Sequence, residues 1–260
     1  MSIMCKNSEN SNQTLLIYVI LNYRRYYMSS ENKKTLLKTV LIFILYIFYI
    51  NIATKIFSIF DITNDITIMF SADIIFLIVI VCTYFKKLKQ DFIDFNKNYT
   101  LKQKTWIIIK YVILIFIINI FMGIITQIFI PTEAGKIDEN SNQIGNLFEL
   151  SNFYILFKTL IFATVAEELL FRESIHEVVE NKKAFVIISA VIYTVINIIY
   201  NLNGSQYIWI DFIAYLLDYL ILSYAYLKNN NNIFVIMIIK FFYNLIPTLL
   251  LILQTVGVFK

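Results

Sequence analysis

Two adjacent glutamates and an arginine are the side chains of this sequence best suited to acid–base chemistry. Glu167 and Glu168 end an apolar run in the stretch IFATVAEELLFRESIHEVVE, and Arg172 follows four residues after Glu168. Residues four apart share a face of a helix, so Arg172 can pair with Glu168, while Glu167 is rotated by about 100° and can face another helix. The spacing predicts that Arg172 holds Glu168 and that a partly desolvated Glu167 acts as a general base. The alternative is a solvated helix end.

Other polar side chains also fall inside apolar runs, where a charge costs about 2.5 to 3.5 kcal/mol on insertion scales. They are Asp73, Lys110, Asn197, Asp211, Asp218, Lys240 and Asn244. The general expectation for each is a partner inside the helical bundle or an extension to the lipid headgroups. Asp73 and Lys110 are expected to pair, or one of them to lie near an interface. Asp211 and Asp218 share one face of one helix. An aspartate protease needs its two carboxylates on facing helices, where they can share a proton, so this arrangement argues against one.

His176 and Glu180 lie four residues apart and resemble half of the zinc-binding His-Glu-x-x-His pattern. The second histidine of that pattern is missing, and the flanking charges place the stretch in a cytosolic connection. A solvated helix end, with His176 near Arg172 and Glu180, is favoured over a metal site. The sequence predicts no cofactor.

The elements that position these side chains are predicted to be transmembrane helices. The chain of 260 residues is 59% hydrophobic and only 15% charged, with a mean hydropathy of +0.70, whereas soluble domains carry about 25% charged residues. A helix needs about 20 apolar residues to cross a bilayer. The sequence therefore predicts an all-α, polytopic transmembrane bundle of about seven spans, within a range of six to eight. The predicted spans are 37–54, 66–85, 106–130, 151–169, 184–200, 207–227 and 233–256.

The cations predict the orientation of the bundle. Lysines and arginines precede the first span and follow the second, fourth and sixth, whereas the 131–150 loop is acidic. This pattern predicts a cytoplasmic amino terminus. We expect the membrane to be a bacterial cell membrane. We expect residues 1–34 to form a cytosolic segment with a short interfacial helix at 14–22, and residues 35–260 to form the bundle. The net charge of +4 and the five glycines indicate neither nucleic-acid binding nor a phosphate-binding loop.

The segment EELLFR fits the Glu-Glu-x-x-x-Arg motif of the membrane CAAX-processing and bacteriocin-processing endopeptidases, which the sequence resembles over roughly 105–256. The resemblance implies an intramembrane cavity in which a glutamate activates water to cut a membrane-associated peptide, such as a prenylated or bacteriocin-like one. It carries Glu167, Glu168, Arg172 and Asn244 over to the family's functional positions. Both histidines of the family's later motifs are replaced, one by Asn197 and the other by Lys240, so metal dependence is left open.

The replacements have a physical consequence. Asn197 cannot accept a proton at neutral pH, and a charged Lys240 has three donors and no acceptor. Because a lysine in a span needs a partner, we predict that Lys240 pairs with Glu167 or Glu168.

Three functions remain open at this stage. The first is an endopeptidase with Glu167 as base, Glu168 and Arg172 as its support, and the three remaining site residues positioning water or the oxyanion. Those three are Asn197, Lys240 and Asn244. The second is a catalytically silent relative that binds a membrane protein partner or confers peptide-toxin immunity. The third is a transporter or a protein of unrelated role, with a relay made of Asp73, Lys110, Asp211 and Asp218.

Overall fold

The computed structural model describes residues 30–129, 152–200 and 208–255. The predicted interfacial helix at 14–22 and the acidic 131–150 loop lie outside the described residues. Within these ranges the chain is helical and contains no strand, so the predicted all-α class is confirmed.

Seven helical segments follow one another along the described chain. They are α1 (Ser30–Ser58), α2 (Asp65–Asn98), α3 (Leu101–Phe129), α4 (the consecutive pieces Asn152–Leu156, Phe157–Glu167, Leu169–Glu173 and Ser174–His176), α5 (Lys182–Tyr200), α6 (Ile208–Lys228) and α7 (Ile233–Thr255). All except α4 contain a run that is long and apolar enough to cross a membrane, which gives six candidate spans among the described residues.

The outer surface of the bundle has the character of a lipid-facing surface. On α3, Ile113, Ile117, Ile120 and Ile124 are all more than half exposed and recur every three or four residues along the helix. A soluble protein would not present such an apolar stripe to water. The exposure pattern therefore agrees with an integral membrane protein.

Helix α2 is longer than the span predicted within it. Its 34 residues correspond to about 51 Å at a rise of about 1.5 Å per residue, well beyond the hydrocarbon thickness of about 30 Å. The predicted span 66–85 ends beside Tyr84, where φ −106° and ψ 15° interrupt the regular helix. The helix then continues to Asn98, and its buried Asp91 accepts a hydrogen bond of 2.7 Å from the Ile233 backbone amide at the start of α7. The extension of α2 thereby caps α7.

Helix α4 forms the centre of the bundle and has unusually wide turns. Its pieces Phe157–Glu167 and Leu169–Glu173 have π-helical hydrogen bonding, a rare geometry that occurs frequently at functional sites. Phe162, Leu169 and Phe171 on this helix are completely buried. Because α4 packs against α1, α2, α5 and α7, its side chains can meet residues from most of the bundle.

Candidate functional site

Glu168 and Arg172 form a buried ion pair on α4. Both side chains are completely buried, and Arg172 Nη1 lies 3.1 Å from Glu168 Oε1, which confirms the pairing that their spacing predicted. The contact uses a single guanidinium nitrogen, since Nε and Nη2 have no hydrogen-bond partner among the described residues. The guanidinium carbon instead lies 4.4 Å from the centre of the Tyr219 ring, so an aromatic face of α6 also stabilises the cation.

Lys240 from α7 bridges the two glutamates. Its Nζ lies 2.9 Å from Glu167 Oε2 and 2.8 Å from Glu168 Oε1, and the residue is only 2% exposed. The predicted approach of Lys240 to these carboxylates is therefore confirmed. With Arg172 included, two cations balance two carboxylates in the interior of the bundle. We call these four residues the carboxylate centre.

Tyr193 of α5 is a further contact of the carboxylate centre. Its hydroxyl donates a hydrogen bond of 3.0 Å to Glu167 Oε2, the same oxygen that binds Lys240. Its ring stacks on Tyr219. Tyr193 was not among the site residues predicted from the sequence. Its hydroxyl, a buried donor that needs an acceptor, was the signal that could have indicated this contact.

Glu167 is the most accessible member of the carboxylate centre. Its side chain is 11% exposed, compared with 3% for Lys240 and none for Glu168 and Arg172. The predicted partial desolvation of Glu167 therefore agrees with its environment.

The two candidate asparagines make hydrogen bonds elsewhere. Asn197 donates to the Tyr193 carbonyl of its own helix at 2.9 Å, and Asn244 donates to the Thr159 carbonyl of α4 at 2.8 Å. In the described ranges, neither side chain is hydrogen-bonded to Glu167 or Glu168. The structure therefore does not join these asparagines to the centre through direct contacts. Their role in positioning water or an oxyanion stays a prediction.

His176 ends α4, and this helix end is only partly solvated. Its ring is half-buried and packs edge-on against Phe185 and Tyr226, with 5.2 Å between ring centres in both cases. Aromatic residues of α5 and α6 cover the end of α4, which a local reading of the sequence could not show. No group of three or more His, Cys, Asp or Glu residues in the described part of the chain could hold a metal ion.

Asp73 pairs with Lys158 and not with Lys110, which corrects the predicted pair. The buried Asp73 carboxylate lies 2.8 and 2.9 Å from Lys158 Nζ and accepts hydrogen bonds from Tyr49 and Tyr154. Lys158 was missed, although a lysine inside the predicted span 151–169 was a signal that a buried carboxylate was near.

Asp218 has a separate set of partners. It accepts hydrogen bonds from Asn119 at 3.1 Å and from Tyr243 at 3.0 Å, which join α6 to α3 and α7. Asp73, by contrast, is held between α1, α2 and α4. The two aspartates therefore belong to different networks, which does not support the single charge relay expected of a transporter.

Comparison with known families agrees with the sequence motif. Residues 149–246 match the family model described as "Type II CAAX prenyl endopeptidase Rce1-like". No curated protein and no solved structure matches the chain significantly. The matched stretch contains all six candidate site residues: Glu167, Glu168, Arg172, Asn197, Lys240 and Asn244. The resemblance is thus confirmed over residues 149–246, and the chain is an integral membrane protein of CAAX-protease-like sequence.

Proposed function

We propose that this chain is a catalytically silent relative of the CAAX-processing endopeptidases, which binds a membrane-associated peptide without cutting it. The observation that carries this proposal is the position of the Lys240 ammonium, 2.9 Å from Glu167 and 2.8 Å from Glu168. The resemblance implies that a relative with intact motifs uses this glutamate to activate water. Here an ammonium group and the Tyr193 hydroxyl already occupy one of its oxygens.

The contacts of Glu167 occupy the oxygen that would take a proton from water. A general base must accept that proton through an available lone pair within hydrogen-bond reach. Glu167 Oε2 already accepts hydrogen bonds from the Tyr193 hydroxyl at 3.0 Å and from the Lys240 ammonium at 2.9 Å. Charged Lys240 supplies donors only. The two donors therefore take the place that a water molecule would need at this oxygen.

The second replaced histidine does not compensate for this loss. The Asn197 side chain donates its hydrogen bond to the Tyr193 carbonyl, and an amide does not take up a proton at neutral pH. Neither replacement provides the neutral imidazole that would orient water or bind a metal ion.

The binding part of the proposal depends on what the centre retains. Glu167 keeps a partly accessible side chain, and the Glu168–Arg172 pair of the motif is formed on α4. The match to a prenyl endopeptidase family supports a prenylated peptide as the class of partner. The motif's resemblance to bacteriocin-processing endopeptidases adds a bacteriocin-like peptide as a second candidate. A silent protein that holds such a peptide in the membrane could provide immunity to a peptide toxin.

Cleavage and binding can be measured together on purified full-length protein in nanodiscs. A farnesylated CAAX peptide and a bacteriocin leader peptide, each with a photoreactive group, report binding by crosslinking and cleavage by mass spectrometry. We expect crosslinking of at least one peptide and no cleavage above that of the Glu167→Ala variant. Cleavage by the wild type that Glu167→Ala abolishes would overturn the proposal and establish an enzyme.

A restored variant provides the matched comparison. Asn197→His combined with Lys240→His returns both family histidines and removes the ammonium from Glu167. Cleavage by this variant alone would support a silenced centre in the wild type. If neither peptide crosslinks to the wild type above the level of an unmodified peptide, the proposed class of partner is wrong.

A further inference from the structure

A second polar site lies between the beginning of α3 and the end of α6. It is a cavity of about 390 Å³ whose lining includes Trp106 and Lys110 of α3 and Tyr224 and Lys228 of α6. Its volume falls within the range of about 300 to 1,000 Å³ that is typical of small-molecule sites. None of these four side chains belongs to the carboxylate centre. We call this site the Lys110–Lys228 cavity.

The cavity carries positive charge without a protein counter-charge. Within the described ranges, Lys110 and Lys228 have no carboxylate within ion-pair distance, and their recorded contacts are with the rings of Tyr111 and Tyr224, at 5.2 and 5.5 Å. By contrast, Lys158 and the buried Lys240 each pair with a carboxylate. Lys110 and Lys228 therefore remain available to a negatively charged ligand.

The aromatic residues around the cavity place it at the depth of the lipid headgroups. Trp106 is 66% exposed and Tyr224 is 50% exposed, although both belong to candidate membrane helices. Exposed tryptophan and tyrosine at helix ends are typical of the membrane–water interface. Lys228 closes α6 on the side that the distribution of cations predicts to be cytosolic.

We propose that the Lys110–Lys228 cavity binds a phosphate-bearing anion, either the headgroup of an anionic phospholipid or a soluble glycerol phosphate ester. Basic pockets between transmembrane helices on the cytosolic side bind anionic lipid headgroups. Two ammonium groups complement the charge of a phosphate and donate hydrogen bonds to its oxygens. The site does not depend on whether the carboxylate centre is active.

Trp106 makes the site measurable by fluorescence. The chain contains two tryptophans, so Trp209→Phe leaves Trp106 as the only one. Full-length protein with this change is reconstituted in phosphatidylcholine that contains increasing fractions of brominated phosphatidylglycerol, whose bromine atoms quench a nearby tryptophan. We expect stronger quenching by brominated phosphatidylglycerol than by brominated phosphatidylcholine. Lys110→Gln with Lys228→Gln should remove this preference. Each lysine should contribute about fivefold to the preference for phosphatidylglycerol over phosphatidylcholine, equivalent to about 1 kcal/mol.

Lys86→Gln with Lys102→Gln is the matched control, because it removes the same charge from exposed lysines outside the cavity. This control and Lys110→Arg with Lys228→Arg should keep the preference. Preferential quenching that added glycerol phosphate does not relieve would identify the lipid headgroup as the ligand. Equal quenching by both lipids, with a change in Trp106 fluorescence when glycerol phosphate is added, would identify the soluble ester. Equal quenching with no response to glycerol phosphate, or equal preference in the Lys110→Gln, Lys228→Gln variant and the control, would overturn the proposal.

Discussion

At the residue scale, the buried carboxyl group of Glu173 should make stability depend on pH. Glu173 lies four residues beyond the predicted end of the fourth span, and the Tyr226 hydroxyl donates a hydrogen bond of 2.7 Å to it. Burial raises the pKa of Glu173 from 4.5 to about 7. The folded state therefore holds this proton more tightly than the unfolded state. The resulting stability is fully present below about pH 4.5 and is lost as the pH rises through about 7.

Glu173→Gln should flatten this dependence, because the amide stays neutral across the range. The measurement is the free energy of unfolding in mixed micelles between about pH 5 and 8. Glu180→Gln, a change at an exposed residue nearby, should keep the slope of the wild type. Identical slopes for the wild type and Glu173→Gln would show that Glu173 does not control the effect.

Residue types and spacing were enough to predict two contacts of the carboxylate centre. The Glu168–Arg172 pair follows from helical periodicity, and the approach of Lys240 follows from the cost of an unpaired charge in a membrane. The hydroxyl contact of Tyr193 and the Lys158–Asp73 pair were not predicted. They depend on how far each helix is rotated against its neighbours, which the packing of side chains decides and a single sequence does not specify.

At the scale of the elements, the Asp73–Lys158 pair is the main polar connection between α2 and α4. Tyr49 adds a hydrogen bond of 2.6 Å from α1 to the same carboxylate. Lys158→Met leaves a completely buried carboxylate without its cation, so we expect a loss of about 3 kcal/mol in the free energy of unfolding. Asp73→Asn with Lys158→Met should cost less than the sum of the two single changes.

Lys55→Met, at an exposed lysine of α1, is the control for removing a positive charge and should change stability by less than about 0.5 kcal/mol. Strictly additive losses for Asp73→Asn and Lys158→Met would mean that this pair does not hold α2 against α4.

The sequence predicted the apolar spans better than the polar extensions of the helices. The lysine-rich stretch after the predicted span 66–85 was not included in any predicted helix, but α2 continues through it to Asn98. Its buried Asp91 and Phe95, four residues apart, were a helical signal that the abundance of charge obscured. The wide turns of α4 could not be predicted either, since π-helical hydrogen bonding has no reliable signature in the residues.

At the scale of the whole molecule, the uneven distribution of cations predicts how the bundle is oriented. The turn between α1 and α2 contains no lysine or arginine, whereas the end of α2 and the start of α3 carry Lys97, Lys102 and Lys104. In a background with Cys5→Ser and Cys82→Ser, Asp61→Cys should react with an impermeant maleimide in intact cells. Gln90→Cys should react only after the membrane is opened. The reverse labelling pattern would contradict the predicted cytoplasmic amino terminus.

The central claim is that Lys240 closes the carboxylate centre as an ion pair with Glu167, and a double-mutant cycle on these two residues tests it most directly. Lys240→Met leaves buried carboxylates short of one cation and should lower the free energy of unfolding by about 3 to 5 kcal/mol. Adding Glu167→Gln removes the unpaired charge, so the double variant should recover part of that stability. Full additivity of the two single changes would contradict the ion pair.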